Sequence, residues 1–464
     1  MSAAIFQSQL TISLSPRELF AHFAHIPWSI FLDSGSSPHV DATTDIIVFD
    51  PAATLVSDEH NTTIVNFESK ETTNHAANPF DLLEQTLSLM AFDGDCPQLP
   101  FTGGAVGLFG YDLGRYCEQL SAKANSDIDA PLMAVGIYRH AIVFDRQSQC
   151  YTLVSQSDAL SHKQVLSTIY ARVESKPQHK AFKAMSEWQK QIDFEQYQEK
   201  FTQVQKHLRA GDCYQINLTQ RLSMGYQGDE YDAYQLLTDA NETPFSAFIR
   251  LDDCAILSLS PERFLQTKGQ KIETKPIKGT MPRYPDPVKD EASAQTLRNS
   301  EKDQSENLMI VDLLRNDIGR TAVAGSVSVP KLFDIESFEN VHHLVSTVTA
   351  QLPIDVSPIQ LLRDAFPGGS ITGAPKISAM NIIDTLEPSR RSVYCGSIGY
   401  ISANGNMDTS ITIRTLLATK DLMFCWAGGG IVADSTCESE YQECFDKLAS
   451  IMPVLQERCK ATYE

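Results

Sequence analysis

No CxxC pair occurs among the ten cysteines, and no cysteine–histidine cluster has the spacing of zinc ligands, which excludes a structural zinc module. Basic residues are scarce: 38 Lys and Arg face 58 Asp and Glu, a formal charge of −20. A chain this acidic is a poor partner for nucleic acid or for an anionic membrane surface. No run reaches the ~18 uninterrupted apolar residues of a membrane-spanning helix. Met1 to Leu14 also lack the basic start and long apolar stretch of a secretory signal. Scattered thiols with no export signal predict a reduced, cytoplasmic protein. No internal repeat of roughly 20–50 residues is visible.

What is present is ordinary globular composition, 42% hydrophobic and 21% charged over 464 residues. That length predicts two or three domain-sized units or one large composite. The charge is uneven. Residues 1–100 hold two basic side chains, Arg17 and Lys70, against thirteen acidic ones. An anionic substrate is therefore better received later in the chain, on local positive groups or a metal.

Ile46–Asp50, Ala105–Asp112 and His140–Asp145 read as strands, with tight backbone at Gly103, Gly104 and Gly107. The polar stretch 172–195, containing Lys176-Pro177, predicts a boundary between an N-terminal segment 1–175 and a second segment 190–458. Tyr197, Phe201, Val204 and Leu208 recur at helical spacing until Gly211 stops them. Residues 391–432 predict an antiparallel meander turning at Asn404-Gly405-Asn406, with Ser410–Ala418 as the returning strand. A last helix is expected from about Glu438 to Leu455, with Tyr441, Phe445, Leu448, Ile451 and Leu455 on one stripe. Strands and helices do not alternate strictly, so the fold class is α+β with antiparallel sheets.

Several segments could carry chemistry. Lys278 in PIKGTMPR is held in rigid, close-packed backbone. It is a nucleophile if burial or a neighbouring cation keeps its amine neutral, and a surface loop lysine otherwise. PGGSITGAPK (Pro367–Lys376) and AGGGIVADS (Ala427–Ser435) are glycine loops, either anion cradles or simple turns. The first is no phosphate-binding P-loop, because Ala374 stands where that pattern needs lysine. Glu440 and Glu443 share a helix face, and Glu306 opens another helix. These carboxylates suit Mg²⁺, or are solvated surface groups. His342-His343, Glu262 and Arg414 are catalytic or merely packed. The residues alone reach an α+β enzyme with an anion pocket and a Mg²⁺ option.

The ordered motifs GDCYQIN, SPERF, PIKGT, ENLMIVDLLRNDIGR, HHLVST, PGGSITGAPK, GSIGY, MDTSITIRT, AGGGIVADS and EYQECFDK run from Gly211 to Lys447. Through them the chain resembles the aminodeoxychorismate synthase component I branch of the anthranilate synthase component I family of chorismate-utilising enzymes. Within that family, anthranilate synthases typically have Ala where this chain has Lys278. Isochorismate and salicylate synthases carry a water-activating lysine at the position of Gln215. Lys278 with Gln215 is the aminodeoxychorismate pattern.

The resemblance implies a composite of two packed antiparallel sheets with helices outside. It implies conversion of chorismate and ammonia to 4-amino-4-deoxychorismate, for para-aminobenzoate and folate, through a covalent Lys278 adduct. Glu262 matches the general acid/base, and His343 a histidine near the reacting carbons. Gly279, Thr280, Tyr400, Arg414 and Gly428, Gly429 and Gly430 match substrate contacts. Glu306 and Glu443, with Glu440 beside them, match Mg²⁺ ligands. Ser34, Pro244, Phe245 and Ser246 match part of a pocket where relatives hold tryptophan, although His39–Ile46 lacks the Arg–aromatic pair relatives often show there. Cys444 stands where Thr is common. No glutaminase elbow and no lyase segment is visible, so a separate glutamine amidotransferase subunit and a separate downstream lyase are the expected partners. Anthranilate synthase component I is the nearest alternative.

Overall fold

The structure, a computed structural model, describes residues 4–36, 39–92, 96–177, 180–337 and 341–460. Within the predicted boundary, residues 178 and 179 lie outside the described set, as do residues 1–3 of the expected signal-free start. Its strands form two sheets, of thirteen and twelve strands, and the pairs within them are antiparallel. This is the expected α+β architecture.

Alternation along the strands explains why the sheets stack. Ile46 and Val48 belong to the apolar cluster between the sheets, whereas Ile47 and Phe49 belong to a second cluster on the other face. Ala247 and Ile249 likewise face the first cluster and Phe248 the second. The second cluster is closed by helices Phe194–Ala210, Glu230–Ala240, Lys376–Leu386 and Cys437–Asp446. One sheet thus packs against the other sheet on one face and against helices on the other.

Both sheets interleave early and late chain. Strand Ile30–Asp33 pairs with Phe245–Arg250, and Gly104–Phe109 pairs with Ser397–Ser402. Two late strands also bend together from one sheet into the other. Ala255–Ser260 pairs with Thr415–Ala418 in the thirteen-stranded sheet. Their continuations, Arg263–Lys268 and Met407–Ile411, pair in the twelve-stranded sheet. The corners of this ribbon are Pro261-Glu262 on one side and Thr412–Arg414 on the other.

Several sequence expectations shift. His140–Asp145 is a strand as predicted, but the other two become Thr44–Val48 and Gly104–Phe109, the latter followed by a 3₁₀ turn at Tyr111–Tyr116. The helix before Gly211 runs Phe194–Ala210. An Asp193/Gln196 capping box starts it, and Gly211 ends it in the left-handed region (φ 81°). The returning strand 410–418 is not continuous; it breaks at the sheet-to-sheet corner. The last helix is two, Cys437–Asp446 and Met452–Lys460. Pro453 cannot donate to the Ala449 carbonyl and its ring crowds it, which favours a break there. No described helix is long and apolar enough to cross a membrane.

Candidate active site

The corner of the bent ribbon is where the chemistry gathers. Glu262 is buried at that corner: its carbonyl accepts from Ile411 N–H at 3.0 Å, and its own N–H reaches the Ser260 hydroxyl at 3.2 Å. The Ser370 hydroxyl, from the first glycine loop, bonds the Glu262 carboxyl. Burial raises the carboxyl pKa, outweighing the opposing pull of Lys278, Ser370 and Lys447. Arg414 occupies the facing corner with φ 51°. Burial lowers its pKa, and among the described residues no carboxylate forms an ion pair with its guanidinium. An arginine so placed is ready for an anionic guest.

Lys278 lies on strand Ile277–Pro282, opposite Leu344 of Val341–Gln351. Its side chain faces Glu262, Glu306, Glu443 and Lys447, and burial lowers its pKa despite the three carboxylates. The next residue, Gly279, makes the bulge that separates Lys278 from Thr280. Its φ is 78°, and a Cβ there would lie 2.8 Å from both Asp303 and Leu297, so only glycine serves. Beyond the bulge the Thr280 hydroxyl sits 2.9 Å from His343 Nδ1. Burial and then Arg414 push His343 down to about 4, leaving a neutral imidazole. His342 points elsewhere, to Asp290 at 3.0 Å and Ser337 at 2.8 Å, and is a packed histidine.

The predicted carboxylate cluster is only loosely assembled. Glu443 pairs with Lys447 at 2.7 Å, Glu306 lies 3.8 Å from Lys302, and Glu440 accepts from Ser435 at 2.7 Å. Glu440 Oε2 is buried with no hydrogen-bond partner, and a Cβ on Gly429 would lie 2.6 Å from it. Burial raises both Glu306 and Glu440, and the Glu443 charge adds to each. An orphaned oxygen among mutually repelling carboxylates fits a hard divalent cation. The three do not converge on one point. Among the described residues, the set whose ligand atoms all lie within 4.8 Å is His39, Asp41 and Glu336, and Lys275 already bridges the last two at 2.8 Å each. Glu306 and Ser435 also line a cavity of about 510 Å³ that opens beside this wall.

Gln215 is buried, its amide lies against Gly430, and its Oε1 has no partner. Lys447 was not singled out by the sequence reading. It holds the Gly428 carbonyl at 2.7 Å and places a second cation near both Lys278 and Glu262. Its i,i+4 spacing from Glu443 was the available signal.

Tyr400 is the clear departure. It lines a different cavity of about 680 Å³, with Ser34, Pro244, Phe245, Ser246, Arg263 and Asp408. Its ring lies near Asp408 and Arg263. The four residues matched to a tryptophan pocket do share this cavity, whose wall also includes Asp41.

Residues 29–453 match the chorismate binding enzyme family. The chain belongs to that family. It is 52% identical over 438 residues to the aminodeoxychorismate synthase component 1 of Escherichia coli (strain K12), covering 94% of this chain and 95% of that one. It is 35% identical to the protein of the same name from Streptomyces lividans, over 87% and 84% of the two chains. The anthranilate synthase component 1 of Thermus thermophilus is 37% identical over 77% and 78%. Among solved structures, anthranilate synthase component I from Streptococcus pneumoniae superposes with a TM-score of 0.77 at 29% identity, over 89% and 93% of the chains. In this family member the strand lysine Lys278 and the corner glutamate Glu262 lie close enough to act on each other's charge.

Proposed function

We propose that this protein is an enzyme, component I of aminodeoxychorismate synthase, converting chorismate and ammonia to 4-amino-4-deoxychorismate. The observation that carries this reading is the pairing of Glu262, biased toward its protonated form, with Lys278, biased toward its neutral form. Those are the states a general acid and an amine nucleophile need. An anthranilate synthase reading gives Lys278 nothing to do.

The Lys278 amine attacks C2 of the ring. As the C2–N bond forms, the ring double bonds shift and the C4–O bond breaks, and Glu262 protonates the departing hydroxyl to water. Ammonia then adds at C4, the double bonds shift back, and the C2–N bond to Lys278 breaks. Arg414 holds a carboxylate of the substrate, and Thr280 with neutral His343 borders the ring. Glu306, Glu440 and Glu443 are the residues that would hold Mg²⁺, which supplies charge for a substrate carboxylate in an acidic protein. The ammonia comes from a partner component, a glutamine amidotransferase subunit, and a separate lyase consumes the product. Chorismate itself is anionic, and Arg414 and Lys447 are the cations set to meet it. The cavity of Ser34, Pro244, Phe245 and Ser246 is the place for a tryptophan-like amino acid. Free thiols at all nine described cysteines fit a reducing, cytoplasmic setting. We keep 1–175 and 190–458 as segments of sequence that share one core.

The purified chain with chorismate, Mg²⁺ and ammonium at alkaline pH should form 4-amino-4-deoxychorismate, identified by mass and absorbance. Glutamine without a second protein should give none. Anthranilate as product, or sustained turnover on glutamine alone, overturns the assignment.

A further inference from the structure

Two lysines flank the dipeptide Pro276-Ile277, and they meet different neighbours. Lys278 faces the reaction cleft. The Lys275 Nζ meets Asp41 Oδ2 of the N-terminal segment and Glu336 Oε1 of strand Ser328–Ser337, each at 2.8 Å. His39, two residues before Asp41, lies 3.5 Å from Glu336 and 3.8 Å from Asp41. Asp41 also accepts from Arg263 at 2.6 Å. Arg263 is already held by both oxygens of Asp408, at 2.9 and 3.0 Å, so it does not depend on Asp41.

The chain between the two lysines has little slack. Proline fixes one torsion, the Pro276 carbonyl accepts from Ser346 N–H at 3.2 Å, and Ile277 pairs with Val345. On the far side of Lys278 the backbone is fixed by the Gly279 bulge packed on Asp303 and Leu297. The nucleophile is thus suspended between two anchors, one of them Lys275, held by Asp41, 234 positions earlier in the chain, together with Glu336.

We propose that Asp41 is a positioning residue: through Lys275 it fixes the segment that presents the Lys278 amine to the ring. Asp41 touches no reacting atom. Burial opposes its charge, yet Arg263 and Lys275 hold its pKa down to about 2. The carboxylate is therefore ionised wherever the enzyme works. Losing the anchor frees the amine to wander, and a misplacement of about 1 Å costs up to about 10²-fold in rate.

This inference rests on Lys278 being the nucleophile, so Lys278→Ala is the control. The test uses the full chain and follows adduct formation by intact-protein mass spectrometry, with chorismate and Mg²⁺ but no ammonia. Turnover with ammonium and the chorismate KM are measured alongside. Asp41→Asn and Lys275→Met should each slow adduct formation and kcat about tenfold, with KM changed less than about twofold. The double variant should be no slower than Lys275→Met alone, because that change already removes the Lys275–Asp41 contact. Lys275→Met tests the same pair from the catalytic strand if Asp41→Asn does not fold. Unchanged adduct rates in a folded variant, losses that multiply in the double variant, or a loss seen only in thermal stability would each overturn the proposal. Adduct-independent turnover in Lys278→Ala would instead overturn the function above.

Discussion

The same two stretches of backbone carry opposite electrostatics on their two sides. Glu262 and Lys278 face the reaction cleft, and there burial wins: the acid is pushed up and the amine down. Arg263 and Lys275, one and three residues away, face the N-terminal segment. They are paired with Asp41, Asp408 and Glu336, and these partners raise both cations while Asp41 is lowered to about 2. Position in the sequence therefore says little about charge state. What decides it is whether an opposite charge sits within hydrogen-bond reach. The paired side holds the structure together, and the unpaired side keeps groups poised for proton and bond transfer.

The largest effect should come from the unpaired side. Lys278→Ala should lower the rate of 4-amino-4-deoxychorismate formation by about 10³-fold or more, and the adduct should vanish from mass spectra. Lys278→Arg should not rescue, because guanidinium stays protonated. Near-normal turnover in the Arg variant would reduce Lys278 to an electrostatic helper. Lys278→Ala should not lower the thermal midpoint, since a buried, unpaired cation is costly to keep, whereas the permanently charged Lys278→Arg should lower it.

Removing Arg263 from the paired side should act mainly on stability. Arg263→Met leaves Asp408 and Asp41 without their shared partner, and should cost about 3 kcal/mol of stability by denaturant titration. Its pH profile per folded molecule should match the parent's. A shifted profile would mean the two sides are not separable.

Glu262→Gln should cut kcat by about 10²-fold and remove one limb of the pH profile. The sign follows from the directions of shift. Activity needs neutral Lys278, a state favoured as pH rises, and protonated Glu262, a state lost as pH rises. The glutamine variant should lose the fall on the alkaline side and keep the rise. Glu443→Gln is the mildest: about tenfold more Mg²⁺ should be needed for half-maximal rate. An unchanged Mg²⁺ requirement would remove Glu443 from the ligand set.

Much of this was legible in the residues. Lys278 beside glycine, Glu262 in SPERF and Arg414 in SITIRT are legible because their motifs sit at or near strand ends, where turn chemistry is written locally. The long-range parts were not. Nothing local says that Ala255–Lys268 and Met407–Ala418 bend together from one sheet to the other, so Ser410–Ala418 reads as one strand. The cavity that Tyr400 lines is not legible for a related reason. The Tyr400 motif marks a strand, but the face it shows depends on pairing with Gly104–Phe109, about 300 residues earlier. The last helix is different: Pro453 was in plain view, and the apolar stripe outweighed it in the reading. Asp41 carried no local signal, since its partners are in strands more than two hundred residues on.

The interleaving of early and late strands has a consequence for synthesis. The residues around strand Gly104–Phe109 wait for partners some 300 positions later, as the bond from Thr102 N–H to the Ser402 hydroxyl shows. At roughly 5–20 residues per second, a ribosome takes about 15–60 s to deliver them. Through that interval the nascent chain displays Ala105, Val106 and Leu108 on an edge with no neighbour. This enzyme should therefore fold only after nearly all of it has been made, and a holdase chaperone bound to the first hundred or so residues would act on it more strongly than on a protein whose strands pair in order.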